Sequence, residues 1–488
     1  MDIVLYPRAA PGDRVRVWIG AFQATSAPNL VWSLDGHPAI PNVLRSISSV
    51  RPDNLLPNDT PPDQQPRVFA GVYEFTGLNP DTFHSVSVDA DGVPAHLEVR
   101  TLPASVPTQI DRSFNVLLVS CFHQAEDRGG LAGIVVSQLK SSSSPDLTLL
   151  LGDQVYLDLP TLKNFPDDRV RLAEKFEGDY RTNWRGPTGY GQVLDAAPSL
   201  SLPDDHEFWN NYPHASPLIA NSLSGEGREN WRTAAKAVYE GFQLPYPCQL
   251  GEPFVLDVPP LSFFFADTRS LRDYNLAFML TDDAHTRLSE WVNDVIAHRK
   301  FGVFITGQSL FAEAVGSITG AVADYELPNY GDYGRVVGEL QRIIDEAHRP
   351  VLCITGDVHF GRIAEARDIT TGRSAITEVI SSPASLVTTL GVDTVKRVGG
   401  FFRGLFGRSD PWTRHSEPAV PPAFLASDSL GGRFPCSTVF GQRGNHVTLL
   451  SFRQSGGGIE CRVTYWPIHP DRNVGRPIDA GILEFTTA

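Results

Sequence analysis

Two stretches decide the fold: Asn115-Val-Leu-Leu-Val-Ser120-Cys121-Phe-His123 and Leu147-Thr-Leu-Leu-Leu151-Gly-Asp153-Gln-Val-Tyr156. Each is a short, nearly unbroken apolar run that stops abruptly at groups able to bind a cation. A run without polar alternation marks a strand covered on both faces, the habit of parallel sheets flanked by helices. Gly129 to Lys140, between the two, suits a helix.

The same alternation continues downstream. Leu288, Trp291, Val292, Val295 and Ile296 sit at helical spacing behind Thr281-Asp282-Asp283, which offers a cap and first-turn acids. Phe301 to Thr306 reads as a strand, Arg335 to His348 as a helix stopped by Pro350, and Val351 to Thr355 as another strand. His446 to Phe452 and Ile459 to Trp466, around the glycines at 456–458, read as a closing hairpin. Strands alternating with helices argue an α/β domain with its helices outside buried sheets.

Upstream the period changes to two. Arg14 to Ile19, Leu30 to Leu34, Val68 to Phe75, His84 to Asp89 and Ala95 to Thr101 read as short, half-buried strands of an all-β sandwich. Arg51 to Pro66, with five prolines and three aspartates, is expected as a long irregular loop. The expected organisation is 1–103 as the sandwich, 104–113 as a linker and 114–488 as the α/β domain. Within the last, 391–425 is expected as a lid or surface insertion. From Val395 to Arg414, Lys396, Arg397, Arg403, Arg408 and Arg414 oppose only Asp410 and interleave with Phe401, Phe402, Phe406 and Trp412.

Composition excludes other classes. Hydrophobic residues form 41% and charged residues 20% of the 488, enough for a packed interior and too little charge for wholesale disorder. The balance of 41 Lys+Arg against 56 Asp+Glu, net −15, repels polyanions and argues against nucleic-acid coating. No apolar stretch is long enough to span a bilayer as a helix. The start, Met1-Asp-Ile-Val-Leu-Tyr-Pro-Arg, lacks a basic region followed by an apolar one, so a cytoplasmic address is expected. Five scattered cysteines without a CxxC fit free thiols, and Cys353, inside a strand, reads as core.

Four strand ends share one grammar: Ser120-Cys121-Phe-His123, Gly152-Asp153-Gln-Val-Tyr156, Asp204-Asp205-His206-Glu207 and Gly356-Asp357-Val-His359. In α/β sheets, ligands collect beyond the carboxyl ends of strands. Two nearby cations need a bridging carboxylate with oxygen, nitrogen or sulfur donors on each side, and these residues supply them.

With Tyr180-Arg-Thr-Asn-Trp184, Asp267-Thr-Arg269-Ser-Leu-Arg272 and Gly307-Gln308-Ser309 added, the order resembles alkaline phosphatase D, a branch of the calcineurin-like metallophosphoesterases. The resemblance covers roughly residues 114–470. It implies a four-layer αββα sandwich preceded by a fibronectin III/Ig-like sandwich, whose usual tyrosine is replaced by Phe83. It implies Asp153 as a bridge between two metals, with Cys121, Tyr156 and His359 holding Fe(III) and Asp205 and Asp357 holding Ca2+. Gln308 stands where the superfamily often has a histidine, and His123 is a candidate ligand or a donor to one. His206 would stabilise or protonate the leaving oxygen, while Arg269 and Arg272 would neutralise phosphoryl oxygens or pair with Asp267 and Asp273. The implied activity is phosphate ester hydrolysis by a metal-bridged hydroxide. A phospholipid-directed phosphodiesterase, or a binding protein carrying a relic phosphoesterase domain, are the alternatives.

Overall fold

The computed structural model describes residues 1–58, 61–160, 164–316, 324–385, 420, 433–469 and 476–486. The basic, aromatic stretch 395–414 lies outside the described residues.

Two large sheets organise the α/β part. One has ten strands, in the spatial order Ile478–Phe485, Gly458–Pro467, His446–Ser455, Phe114–Val119, Leu147–Leu151, Ser199–Leu202, Asp2–Arg8, Arg14–Ala24, Arg67–Thr76 and Asn42–Ser49. The other has seven: Phe254–Val258, Leu261–Phe265, Phe301–Ile305, Val351–Thr355, Ser374–Ile380, Gly361–Arg367 and Cys436–Gln442. The unbroken apolar runs now have a cause. Leu118, Leu149 and Leu151 face the core shared with Phe263, Ile305 and Ile354 of the second sheet. Their neighbours Leu117, Val119 and Leu150 face a second core, with Val136, Phe176 and Trp231 from the helices Leu131–Ser142, Arg169–Trp184 and Gly225–Phe242. Each fully buried Leu contributes about 2 kcal/mol, so neither face tolerates a polar residue cheaply. The helices Asp282–Ala297 and Tyr333–Ala347 pack against the second sheet, over Phe304 and Cys353. Thr281 caps the first of them, accepting from the Ala284 amide at 3.2 Å.

Register brings the motifs to one rim. Phe114–Val119, Leu147–Leu151 and Ser199–Leu202 are parallel, with Leu150 opposite Val119 and Leu151 opposite Leu202. In the second sheet Phe301–Ile305 runs parallel to Val351–Thr355, with Ile305 opposite Ile354. The two rims meet closely: a Cβ added at Gly356 would lie 2.3 Å from the Leu151 carbonyl oxygen.

The N-terminal residues pack as expected into a β core, in which Val17, Trp32, Phe75, Val88 and Val99 are buried together. A four-stranded sheet, His37–Pro38, Leu30–Leu34, Phe83–Ala90 and Val93–Arg100, supplies one side. The other side is the end of the ten-stranded sheet itself. Asp2–Arg8 pairs antiparallel with Arg14–Ala24 and parallel with Ser199–Leu202, where Arg8 meets Ser199. No break in strand pairing therefore marks the passage near residue 103. Two strands carried no signal: Asp2–Arg8 contains Pro7, and Asn42–Ser49 is mostly polar. The proline-rich loop holds two short 3-10 turns, Asp53–Leu55 and Pro62–Gln64. Phe83 is 66% exposed, beneath the Arg100 guanidinium, so it fills no buried corner.

Among the described residues no helix is long and apolar enough to cross a membrane. All five cysteines are free, and Cys353 is fully buried.

Candidate metal centre

Strand ends at the rim break into an unusual backbone state. Cys121, Asp153, Asp357 and His359 all have left-handed φ, between 52° and 59°. For residues with a Cβ this costs about 1–2 kcal/mol each, and such strain gathers where chemistry needs a fixed geometry. Gly152, at φ 86°, allows the turn into Asp153; a Cβ there would come within 2.5 Å of the Asp204 Cβ.

Asp153 is central. One carboxylate oxygen lies 3.5 Å from both Cys121 Sγ and the Tyr156 hydroxyl, and the other accepts from the His206 amide at 3.3 Å. Three overlapping sets share it: Cys121, Asp153 and His359; Asp153, Asp205 and His206; and Asp153, Asp204, Asp205 and Asp357. Within each set one donor atom per residue lies within 4.8 Å of the others.

Electrostatics show what this arrangement lacks. Burial, then neighbouring carboxylates, push Asp357 well above the ordinary carboxylate range. Burial lifts Asp153 likewise, with His206 opposing and Asp205 adding to the shift. Asp205 is raised by burial against the pull of His206 and Arg269. Asp204 is raised to about 6 by burial, although Arg269 Nε donates to it at 2.6 Å and lowers it. Its other oxygen is buried without a hydrogen-bond partner among the described residues. Burial, then the Asp153 charge, also raises the Cys121 thiol and the Tyr156 phenol. Four carboxylates crowded this closely, three of them buried and Asp357 partly so, need positive charge, and thiolate, phenolate and imidazole are metal donors. The donor set fits a metal pair.

His206 stands beside the carboxylates. Its Nδ1 is 2.8 Å from Asp158, a buried carboxylate that also accepts from the Asn210 amide at 2.8 Å. Burial would lower the imidazole pKa; Asp158, then Asp205 and Asp153, outweigh it and hold it well above the usual value. Glu207 has a different task. It accepts from the amides of Asp153 (2.9 Å), Gln154 (2.6 Å) and Asp204 (2.9 Å), and burial lifts it to about 7.

Of the residues expected from sequence, the structure brings together Cys121, Asp153, Tyr156, Asp205, His206, Asp357 and His359. His123 belongs to none of the three sets; its ring packs 5.5 Å from that of Tyr156. Gln308 is held between Arg272 (2.5 Å) and Asp324 (2.6 Å). The arginine pairings differ from expectation. Arg269, with no exposed surface, spends its donors on Asp204, Asp324 and the Tyr212 carbonyl. Arg272 donates to Gln308 and the Thr268 carbonyl and lies over the Tyr330 ring. Asp267 and Asp273 instead accept backbone amides of their own loop, from Ser270 and Asn275 among others. Asp204, Asp158 and Asp324 carry parts of the site that sequence reading did not assign. Asp204 had a signal, its place beside Asp205 at a strand end, while Asp158 and Asp324 are acids in irregular segments.

No protein-family model matches the chain, and no curated protein does. Among solved structures, purple acid phosphatase PPD1 from yellow lupin seeds superposes with TM-score 0.56 at 13% identity, covering 98% of this chain and 74% of that one. GAP50 of Plasmodium, the anchor in its inner membrane complex, gives TM-score 0.36 at 10% identity over 76% and 89% of the two chains. The chain therefore shares its fold with a purple acid phosphatase, and a cluster of buried donors able to hold metal sits at the rim of its sheets.

Proposed function

We propose that this chain is a metal-dependent phosphoesterase of the alkaline phosphatase D type. One observation carries the reading: three donor sets overlap on Asp153, one of them including His206, whose Nδ1 lies 2.8 Å from the Asp158 carboxylate. The likeness of fold to a purple acid phosphatase supports it. On this reading the strands after residue 113 in the two large sheets, with their outer helices, are the αββα layers, and the first 103 residues, four of whose strands extend one of those sheets, are a fibronectin III-like sandwich.

Asp153 would be the shared ligand. Cys121, Tyr156 and His359 would hold the metal on one side, a donor set suited to iron(III); Asp205 and Asp357, now joined by Asp204, would hold the other, an oxygen set suited to calcium. When bound, such a pair acidifies water and neutralises phosphoryl charge. The chain's own residues do the rest. His206 lies in one of the three sets, but with its Nδ1 side fixed by Asp158 it is assigned to the departing ester oxygen, to which Nε2 would give a proton, and not to a metal. Each guanidinium nitrogen of Arg269 already donates to an acceptor in the protein, so it steadies Asp204 and Asp324. Arg272 remains the guanidinium for a phosphoryl oxygen.

Purified protein should hydrolyse nitrophenyl phosphate or its bis ester, lose that activity on chelation and regain it with iron and calcium. Protein that stays inert after both metals are restored would refute the proposal.

A further inference from the structure

Every helix ends on carbonyls without intrahelical donors. At the end of Gly225–Phe242, three side chains from the N-terminal strands take these carbonyls in succession. Arg45 donates to the Glu240 carbonyl at 2.5 Å, Trp18 Nε1 to that of Gly241 at 2.8 Å, and Arg8 to that of Phe242. Two of the three are cations, placed where the helix dipole favours them. Contact is tight: a Cβ at Gly241 would lie 2.5 Å from Val50 Cγ1.

The next residue continues the path. Gln243 is fully buried, its amide donates to the Tyr239 carbonyl at 2.8 Å, and its side-chain nitrogen donates to Tyr180 Oη (2.9 Å) and Glu207 (3.2 Å). Glu207 in turn holds the amides of Asp153, Gln154 and Asp204. We propose that the N-terminal strands are a working part of the metal centre: through the capped helix end and Gln243 they fix Glu207, and with it the backbone of Asp153 and Asp204. Gln243 is thus a positioning residue for those two carboxylates. Naming them ligands rests on the function proposed above; the mechanical coupling does not.

Hydrogen exchange on the full chain, without metal, tests the coupling. Gln243→Leu removes the donor to Glu207, and Trp18→Phe removes a cap while keeping a ring, should the first variant not fold. Trp32→Phe is the control, a buried indole in the separate N-terminal core, whose Nε1 has no hydrogen-bond partner among the described residues. Peptides spanning 150–157 and 202–209 should exchange roughly fivefold or more faster in the first two variants and unchanged in the control. Equal exchange there in all three proteins, with loosening confined to residues 1–103, would overturn the proposal. A parallel Co2+ titration followed by its visible spectrum separates the two readings. Wild-type protein that binds no Co2+ sinks the metal centre, while the exchange result still decides the coupling.

Discussion

Asp153→Asn should abolish hydrolysis, by roughly a thousandfold or more, and at the same time make the metal-free protein more stable. The first effect follows from geometry, since all three donor sets include this residue. Metal analysis of the purified variant should find both sites depleted. The second effect follows from charge. Asp153, Asp205 and Asp357 all have carboxyl pKa values raised by burial and by neighbouring carboxylates, Asp205 among them for Asp153 and Asp357, and Asp324 for Asp205. A folded pKa above the unfolded one means that ionisation opposes folding. The stability these groups lend is present below their unfolded value near 3.8 and is lost as pH rises through the folded value. For Asp204, raised to about 6, the loss is about 3 kcal/mol by neutral pH. Glu207, raised to about 7 from 4.5, adds in the same direction.

The melting temperature of chelated wild-type protein should therefore fall relative to Asp153→Asn as pH rises from about 4 to 7. Added metal should reverse the order, raising the wild type and leaving the variant unmoved. Thermal melts at the two pH values, with and without chelator, measure both. A variant less stable than chelated wild type at pH 7, or one that keeps full activity, would contradict the central place given to Asp153.

How much of this could be read beforehand depended on the kind of signal each residue carries. Leu147–Leu151 was legible because both faces are buried and the apolar run is continuous. Val351–Thr355 was legible for the same reason. Asp2–Arg8 was not, since its pairing with Ser199–Leu202 comes from residues far along the chain and Pro7 interrupts its pattern. The ligand candidates announced themselves by following such runs directly, at Cys121, Asp153 and Asp357. Asp158 and Asp324 did not. Each is paired with a partner that only folding supplies, His206 in one case and Arg269 in the other. Arg269 misled for the converse reason: its neighbours in sequence, Asp267 and Asp273, are satisfied by backbone amides, which leaves the guanidinium to distant carboxylates.

Asp158→Asn should slow hydrolysis of alkyl phosphates while leaving metal content intact, and His206→Asn should do so more severely, by about 10²–10⁴-fold. Asp158 takes part in none of the three donor sets, so its effect must pass through His206. Of the forces on that ring, burial disfavours the proton and the Asp158 carboxylate is the largest that favours it. Removing the charge while keeping the side chain's size lowers the imidazole pKa, so the protonated form is lost at a lower pH. The alkaline limb of the rate profile should shift downward accordingly. Leaving-group dependence supplies the sharper test. A nitrophenolate departs without help, whereas an alkoxide needs a proton in the transition state. Both variants should thus lose far more activity on an alkyl phosphate than on nitrophenyl phosphate. Equal losses on the two esters would mean that His206 orients the substrate or its neighbouring carboxylates instead of donating a proton, and an unshifted alkaline limb in Asp158→Asn would remove Asp158 from the mechanism.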